Sequence, residues 1–481
     1  MNKRNFLILL IVATLVRLPA MFQPLWFDEN FSLVLARMPI TQLITATAAD
    51  VHPPLYYLLT WLLYRIPSLP AWAIRIPSLL FSLMAIVVMR RILLNEIAGT
   101  VRTWCTLLLM ALAPQMIWYA SEARMYSLLL LLVLLAYEAW QDQNWGRLWL
   151  YVVLMAYTHN WGLFYAVALA LVAALDKYHW LTTYTFKGWL SNLRKIIIVF
   201  AGAAICWVPW GWVMLHQISD ISGQYWLVNA SISQALLLLV SQITMTTAMD
   251  PLSLAVLFAW LIVGAWASRY RPAMLLMAIA PVGLGLLVSN LWQPVMLFRA
   301  GIASAPFIYS LLGQAVDAAW NERRRILVMA IGILPVLVMS WITLVQSADR
   351  YRLNFQGALE TINAGWQAGD VIVSTSDNVI DLIPYTDKPV YFVQPCKPWR
   401  GSLTNAARDA IGFHQVSWAQ LPTLGARVWL IGWRTPLMYQ CSLDELDQYL
   451  ADHPNQLVMK RIPTPMTYNA MWLIGGDNGD Q

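Results

Sequence analysis

From residue 3 to residue 346 the chain repeats one pattern: a long apolar run closed by a short polar or basic stretch. Runs of near-spanning length lie at 72 to 94, 101 to 119, 126 to 141, 148 to 158, 161 to 175, 196 to 215, 251 to 268, 273 to 291, 301 to 319 and 325 to 346. A further run follows Lys3-Arg4 and ends near Met21. It reads as a first helix rather than a signal peptide, because Arg17 interrupts it, no small-x-small cleavage site follows, and many more spans come after. Together these predict about eleven transmembrane helices. Two shorter runs, 55 to 66 and 231 to 248, are expected along or partly within the outer interface. At Ala348-Asp349-Arg350 the pattern changes. Short β-rich runs at 370 to 374, 390 to 393, 428 to 432 and 471 to 474 alternate with helix-like stretches at 354 to 366, 404 to 412 and 444 to 451. That alternation predicts a small soluble α/β layer with a largely parallel sheet.

Composition agrees and narrows the class. Hydrophobic residues make up 59% of the 481 and charged residues 12%, about half the charge of an average soluble protein. Such a chain is not a cytosolic enzyme, a disordered segment or a disulfide-stapled module. A backbone in hydrocarbon must satisfy its own hydrogen bonds, so the expected fold is a polytopic α-helical membrane protein. The net charge of +6 is mostly topology: residues 1–346 carry 21 Lys and Arg against 12 Asp and Glu, and residues 347–481 carry 10 against 13. With the N-terminus cytoplasmic, 13 Lys and Arg fall in inner loops and 5 in outer ones, as the positive-inside rule requires. The expected division is a membrane domain, 1–346, with a long first outer loop at about 23–71, followed by an extracytoplasmic α/β domain, 347–481. No basic, aromatic-interleaved strip points to nucleic acid, and no glycine-rich phosphate loop is present.

Charges at the outer ends of spans are costly enough to be candidates for chemistry. Asp28-Glu29, just after the first span, can deprotonate a hydroxyl, bind sugar or hold a divalent cation; Asp28 can equally be a helix cap. His52, in Asp50-Val51-His52-Pro53-Pro54, can contact phosphate or serve only the stiff turn. In Ser121-Glu122-Ala123-Arg124-Met125-Tyr126 the arginine suits a phosphate, since a guanidinium fork matches phosphate oxygens, or else pairs with Glu122 to fix the loop. Arg299 is expected on the same side, which favours an anionic ligand. With His52, the residues Glu122, Tyr126 and His159 complete the candidate substrate contacts. Cys396 and Cys441 fall in the expected outer domain, where a disulfide is chemically allowed.

In combination, the Asp28-Glu29 pair, His52-Pro53-Pro54, the 121–126 loop, and Arg299 followed by Pro306 resemble glycosyltransferase family 39 of the GT-C superfamily. That family includes protein O-mannosyltransferases and, more distantly, the aminoarabinose transferases of lipid A. The resemblance covers about the first 310 residues. It implies a GT-C type enzyme that takes a sugar from a polyprenyl-phosphate donor and transfers it, with inversion, to a hydroxyl at the outer face of the bacterial inner membrane. On this resemblance Asp28 is the base, Glu29 orients the acceptor or binds sugar or a cation, and Arg124 and Arg299 neutralise the departing phosphate. Tyr56-Tyr57 stand where Gly-Lys often follows the His-Pro-Pro element, so the acceptor, whether envelope glycan, lipid or protein, stays open. Two other classes share the topology: a flippase for lipid-linked glycans, and a polymerase or ligase. A transporter should show internal repeats and charges near the bilayer midplane, and the chain shows neither.

Overall fold

The computed structural model describes residues 2–175, 186–221, 230–244, 272–318, 338, 355–375, 380–393, 405–411, 414–432, 440–452, 457–463 and 468–474. The expected span at 251–268, all of that at 325–346 except residue 338, and Cys396 lie outside these residues.

Helix α1 (Lys3–Met21) leads into three short helices, α2 (Phe27–Arg37), α3 (Ile40–Ala49) and α4 (Leu55–Leu63). A 3-10 turn, Ala71–Arg75, runs straight into α5 (Ile76–Asn95). The apolar run at 101 to 119 folds as two pieces, α6 (Thr100–Leu112) and α7 (Pro114–Ala120), bent by 50°. Then come α8 (Tyr126–Gln141), α9 (Trp145–Thr158), α10 (Trp161–Leu175), α11 (Phe186–Ile221), α12 (Ile232–Thr244), α13 (Ala273–Leu291), a 3-10 segment Phe298–Ser304, and α14 (Ala305–Ala318).

Among the described residues four helices are long and apolar enough to cross a membrane, and a fifth if the bent pair is one span. The chain is a multi-pass membrane protein. Helices α8, α9, α10 and α14 have 14 to 16 residues, short of the about 20 that span hydrocarbon unaided. Nearly every residue of α8 is buried: helices pack around it, so it meets protein rather than lipid along its length. The runs at 55 to 66 and 231 to 248 become the short helices α4 and α12, too short to span alone.

The bend between α6 and α7 explains why an arginine persists inside α1. Pro114 has no N–H to give the carbonyl of Met110, and the bend frees that of Ala111 as well. The Arg17 guanidinium takes both, at 3.0 and 2.8 Å, and also donates to Ala13 O at 2.7 Å. Arg17 is fully buried, and its charge sits at the C-terminal, negative end of α6.

The C-terminal part is a six-stranded sheet of β1 (Val371–Ser374), β2 (Val390–Val393), β3 (His414–Val416), β4 (Val428–Gly432), β5 (Leu457–Pro463) and β6 (Tyr468–Ile474), in the order β3-β2-β1-β4-β6-β5. The first four are parallel; β6 pairs antiparallel with β4, and β5 with β6. Strands β1 and β4 are buried along their whole length, as central parallel strands covered on both faces must be. Helices Phe355–Gly365, Asn405–Ala410 and Gln440–Asp452 lie close to the expected helical stretches. Strands β3 and β5 are additions to the expected set.

Candidate active site

The α2 end of the bundle gathers its charges around one carboxylate. Asp28 lies in the first turn of α2, which starts at Phe27. Asp28 is therefore not the helix cap; Glu29 does that work, its Oε2 lying 3.4 Å from the backbone N–H of Trp26. Asp28 Oδ2 accepts a hydrogen bond from Arg299 Nη1 at 2.8 Å and lies 3.8 Å from Arg124 Nε. Burial pushes the Asp28 carboxyl up, but Arg124 and Arg299 outweigh it and hold the group below its ordinary pKa.

Arg124 is held from behind. Its Nη1 donates to Tyr57 Oη at 3.0 Å and its Nη2 meets His52 Nε2 at 3.2 Å; His52 Nδ1 meets Asp50 Oδ2 at 2.9 Å. A guanidinium can only donate, so Nε2 of His52 must accept, and the imidazole is neutral with its proton on Nδ1 facing Asp50. Burial first, then the neighbouring Arg124, lower the His52 pKa, consistent with that tautomer. Arg299 leans over the rings of Trp26 and Tyr126, at 5.9 and 5.7 Å. Buried donors in this shell without a hydrogen-bond partner include Arg124 Nε, Arg299 Nε and the Tyr126 hydroxyl.

Glu29 departs from its expected role. Its oxygens receive Arg75 Nε at 2.7 Å and Arg75 Nη2 at 2.5 Å, and Oε1 also accepts the backbone N–H of Ala123 at 2.8 Å. Arg75 in turn caps the end of α1 through the carbonyls of Ala20, Met21 and Gln23. Glu29 thus ties the 121–126 loop, next to Arg124, to α2 and Arg75. It turns to Arg75 while Asp28 turns to Arg299, so the pair does not form the two-carboxylate cation site that adjacency in sequence suggested. Among the described residues no three His, Cys, Asp or Glu side chains come together to hold a metal ion.

Glu122 does not pair with Arg124 either. It accepts from Trp118 Nε1 at 3.1 Å through Oε2, while Oε1 is buried without a partner. Burial raises its pKa to about 8. His159 accepts the Trp161 N–H at its Nδ1, 3.0 Å away, which leaves the proton on Nε2. Its ring lies 5.8 Å from those of both His52 and Tyr126. All eight candidate residues therefore belong to one neighbourhood. The sequence reading missed Arg75, Tyr57 and the role of Asp50. Arg75 had a signal, a lone charge at the mouth of an apolar run; Tyr57 had none.

Beside this neighbourhood a cavity of about 110 Å³ touches His52, His159 and Gln217, and an apolar one of about 520 Å³ runs between α9, α10 and α11, lined by Val152, Leu163, Val167, Phe200 and Trp207.

Neither a family model nor a curated protein matches the chain. Solved structures do. ArnT from Cupriavidus metallidurans, a GT-C glycosyltransferase, superimposes in its apo state with a TM-score of 0.62 at 14% identity, over 97% of this chain and 98% of that one. The same protein bound to undecaprenyl phosphate gives 0.61 at 16%, over 98% of each. The chain shares the fold of ArnT. The Archaeoglobus fulgidus oligosaccharyltransferase, in complex with zinc and sulfate, follows at 0.42 and 14% identity, over 79% of this chain and 62% of that one. The likeness to ArnT covers 97% of the chain, well past the first 310 residues that carry the sequence motifs.

Proposed function

We propose that the protein is an inverting glycosyltransferase of the bacterial inner membrane, moving a sugar from a polyprenyl-phosphate donor to an acceptor hydroxyl at the outer face. The observation that carries this reading is the convergence of Arg124 and Arg299 on Asp28, with an unfilled, buried donor on each guanidinium. Two cations against one carboxylate leave a positive site, and a lipid phosphate supplies the missing anion. ArnT, similar in fold, has been seen with undecaprenyl phosphate. The apolar cavity between α9, α10 and α11 has the chemistry to take part of a lipid tail.

In this reading residues 1–346 are the catalytic membrane domain, with the N-terminus cytoplasmic and about eleven crossings, short helices included. Residues 347–481 form the extracytoplasmic α/β domain. Asp28 removes the acceptor proton as the acceptor oxygen bonds to the anomeric carbon; the bond from that carbon to the phosphate oxygen breaks, and the electron pair leaves with the polyprenyl phosphate. Arg124 and Arg299 meet the charge that grows there. The resting Asp28–Arg299 contact has a use: a phosphate that draws Arg299 away leaves Asp28 a stronger base at the moment a base is needed. His52, Tyr57 and Asp50 hold Arg124; Tyr126, Glu122 and His159 line the sugar side. Glu29 positions the loop. The acceptor is an envelope glycan, lipid or protein.

The test is transfer by the purified protein in lipid discs, from undecaprenyl-phosphate pentose or hexose to envelope acceptors. Wild type should transfer and Asp28→Asn should not, although the variant is recovered folded. No transfer from any such donor by folded wild type, or near wild-type transfer by Asp28→Asn, sinks the reading. Mass spectrometry of envelope glycans and lipids from a deletion strain identifies the missing sugar and its acceptor together.

A further inference from the structure

Asp381 reaches the α2 end of the bundle from the C-terminal part of the chain. It sits between two neighbours that pack in opposite directions: Ile380 joins the large apolar core of the helix bundle, while Leu382 joins the cluster of Ile372, Trp429 and Ile431 against the sheet. Asp381 itself is 1% exposed. Its Oδ1 accepts from Asn30 Nδ2 at 2.7 Å, and Asn30 Oδ1 accepts from the Tyr385 hydroxyl at 3.0 Å. Asn30 Nδ2 also reaches Leu25 O at 3.2 Å. Asn30 directly follows Asp28 and Glu29 in the first turns of α2. At the far end of that helix Arg37 Nη1 donates to Pro384 O at 2.6 Å, so α2 is gripped at both ends by the 381–385 segment.

We infer that Asp381 is a positioning residue for transfer, a strut from the C-terminal part that sets the first turns of α2, and with them Asp28, through Asn30. The inference rests on the glycosyl-transfer reading of Asp28. Asn30 is an uncharged amide that spends its Oδ1 on Tyr385 and its Nδ2 on Asp381 and Leu25, so losing Asp381 loosens one side of a fully engaged side chain. The strut works as a neutral acid. Burial raises the Asp381 pKa to about 8, the Asn30 hydrogen bond opposes that rise, and Asp28 and Glu29 add to it. The charged and titratable groups that face it are Asp28 and Glu29 on α2, Tyr385 on its own segment and, around Tyr385, Arg37 and Arg75. Its Oδ2 is buried without a hydrogen-bond partner, which a protonated acid tolerates far better than a carboxylate does.

The sign follows from linkage. A carboxyl whose folded pKa is raised contributes stability at low pH, and that stability is lost as pH climbs from about 4 through about 8. Asp381→Asn preserves the acceptor for Asn30 and stays neutral. It should keep kcat within about twofold of wild type at pH 7 and reduce the fall in Tm between pH 6 and 9; Glu122, which titrates in the same range, accounts for the remainder. Asp381→Ala should lower kcat at least tenfold with donor KM unchanged. Tyr385→Phe, which frees the other side of Asn30, should lower kcat about threefold and serves if the alanine variant does not fold. Wild-type kcat in Asp381→Ala or Tyr385→Phe overturns the strut. So does an Asp381→Asn variant as impaired as Asp381→Ala, or one whose Tm against pH superimposes on wild type. If folded wild type transfers no sugar, the glycosyl-transfer reading fails by itself, and the Tm profiles still decide whether Asp381 docks as a neutral acid.

Discussion

The two ends of the helix bundle both bury charge, yet they do opposite things with it. At the end formed by the C-terminus of α5 and the start of α6, Arg102 Nη2 donates to Glu96 Oε2 at 2.8 Å, and Arg102 Nε and Nη2 both lie against Ser310 Oγ at 3.0 and 2.7 Å. Tyr137 and Gln141 donate to the other Glu96 oxygen, each at 3.2 Å. Arg91 grips Glu138 in bidentate fashion at 2.6 and 2.7 Å. Glu96 and Glu138 are each matched, with both oxygens used. At the α2 end, Glu29 with Arg75 follows the same saturated pattern, but Asp28 faces two guanidinium groups that still have free donors. Burial alone therefore does not mark a functional charge; imbalance and unfilled hydrogen bonds do.

The contrast can be broken at its strongest point first. Asp28→Asn should cost roughly a thousandfold in kcat, the scale of a lost general base, while the variant is still recovered folded, because the amide keeps an oxygen acceptor for Arg299 Nη1. Next in size, Arg75→Ala should destabilise the fold by about 3 kcal/mol by leaving the Glu29 carboxylate buried and unpaired, read as a loss of folded protein in detergent. If Arg75→Ala keeps its Tm and loses only transfer, the saturated pair is not structural and the contrast fails. Arg299→Ala should lower kcat/KM about a hundredfold and leave Tm near wild type; an unchanged kcat/KM would remove its phosphate role. At the opposite end Arg91→Ala should cost under about 1 kcal/mol, since Arg91 is half exposed and Arg147 stays 3.8 Å from the buried Glu138 carboxylate, and transfer per folded molecule should not change. A drop in specific activity there would mean that the two ends are coupled.

A fifth effect is smaller and depends on pH. Glu122, with its pKa pushed up to about 8 by burial, contributes stability at low pH that fades as pH climbs from its ordinary range near 4 through about 8. Glu122→Gln should flatten part of that decline in a Tm series from pH 5 to 9. A steeper decline than wild type would show that Glu122 is ionised in the folded protein.

Much of the site was legible in the sequence because the costly charges are few. Asp28, Arg124 and Arg299 stood out as polar residues at the ends of apolar runs, and all three meet in space. What misled was adjacency. Asp28 and Glu29 are neighbours in the chain, but successive residues of a helix point about 100° apart, so one turns toward Arg299 and the other toward Arg75. Glu122 and Arg124 are two residues apart, yet the short loop between them sends Glu122 to Trp118 and Arg124 to Tyr57 and His52. Helix boundaries were harder. Hydropathy marks where a chain is apolar, not whether lipid or protein surrounds it, and so α8 read as an ordinary span although nearly all of it is buried.

By itself the sequence determined the class of architecture, a bundle of apolar helices followed by a compact α/β sheet, because hydropathy runs and strand alternation are local properties of the chain. It also determined which charges were too costly to be incidental. Only the tertiary structure decided what each charge pairs with. Arg17 finds the carbonyls of Met110 and Ala111, Glu29 finds Arg75, Asp28 finds Arg299, and Asn30 finds Asp381. These partners are chosen by which helix ends and loops packing brings within about 3 Å. In a buried site that choice separates a charge that holds the fold from one left free to act.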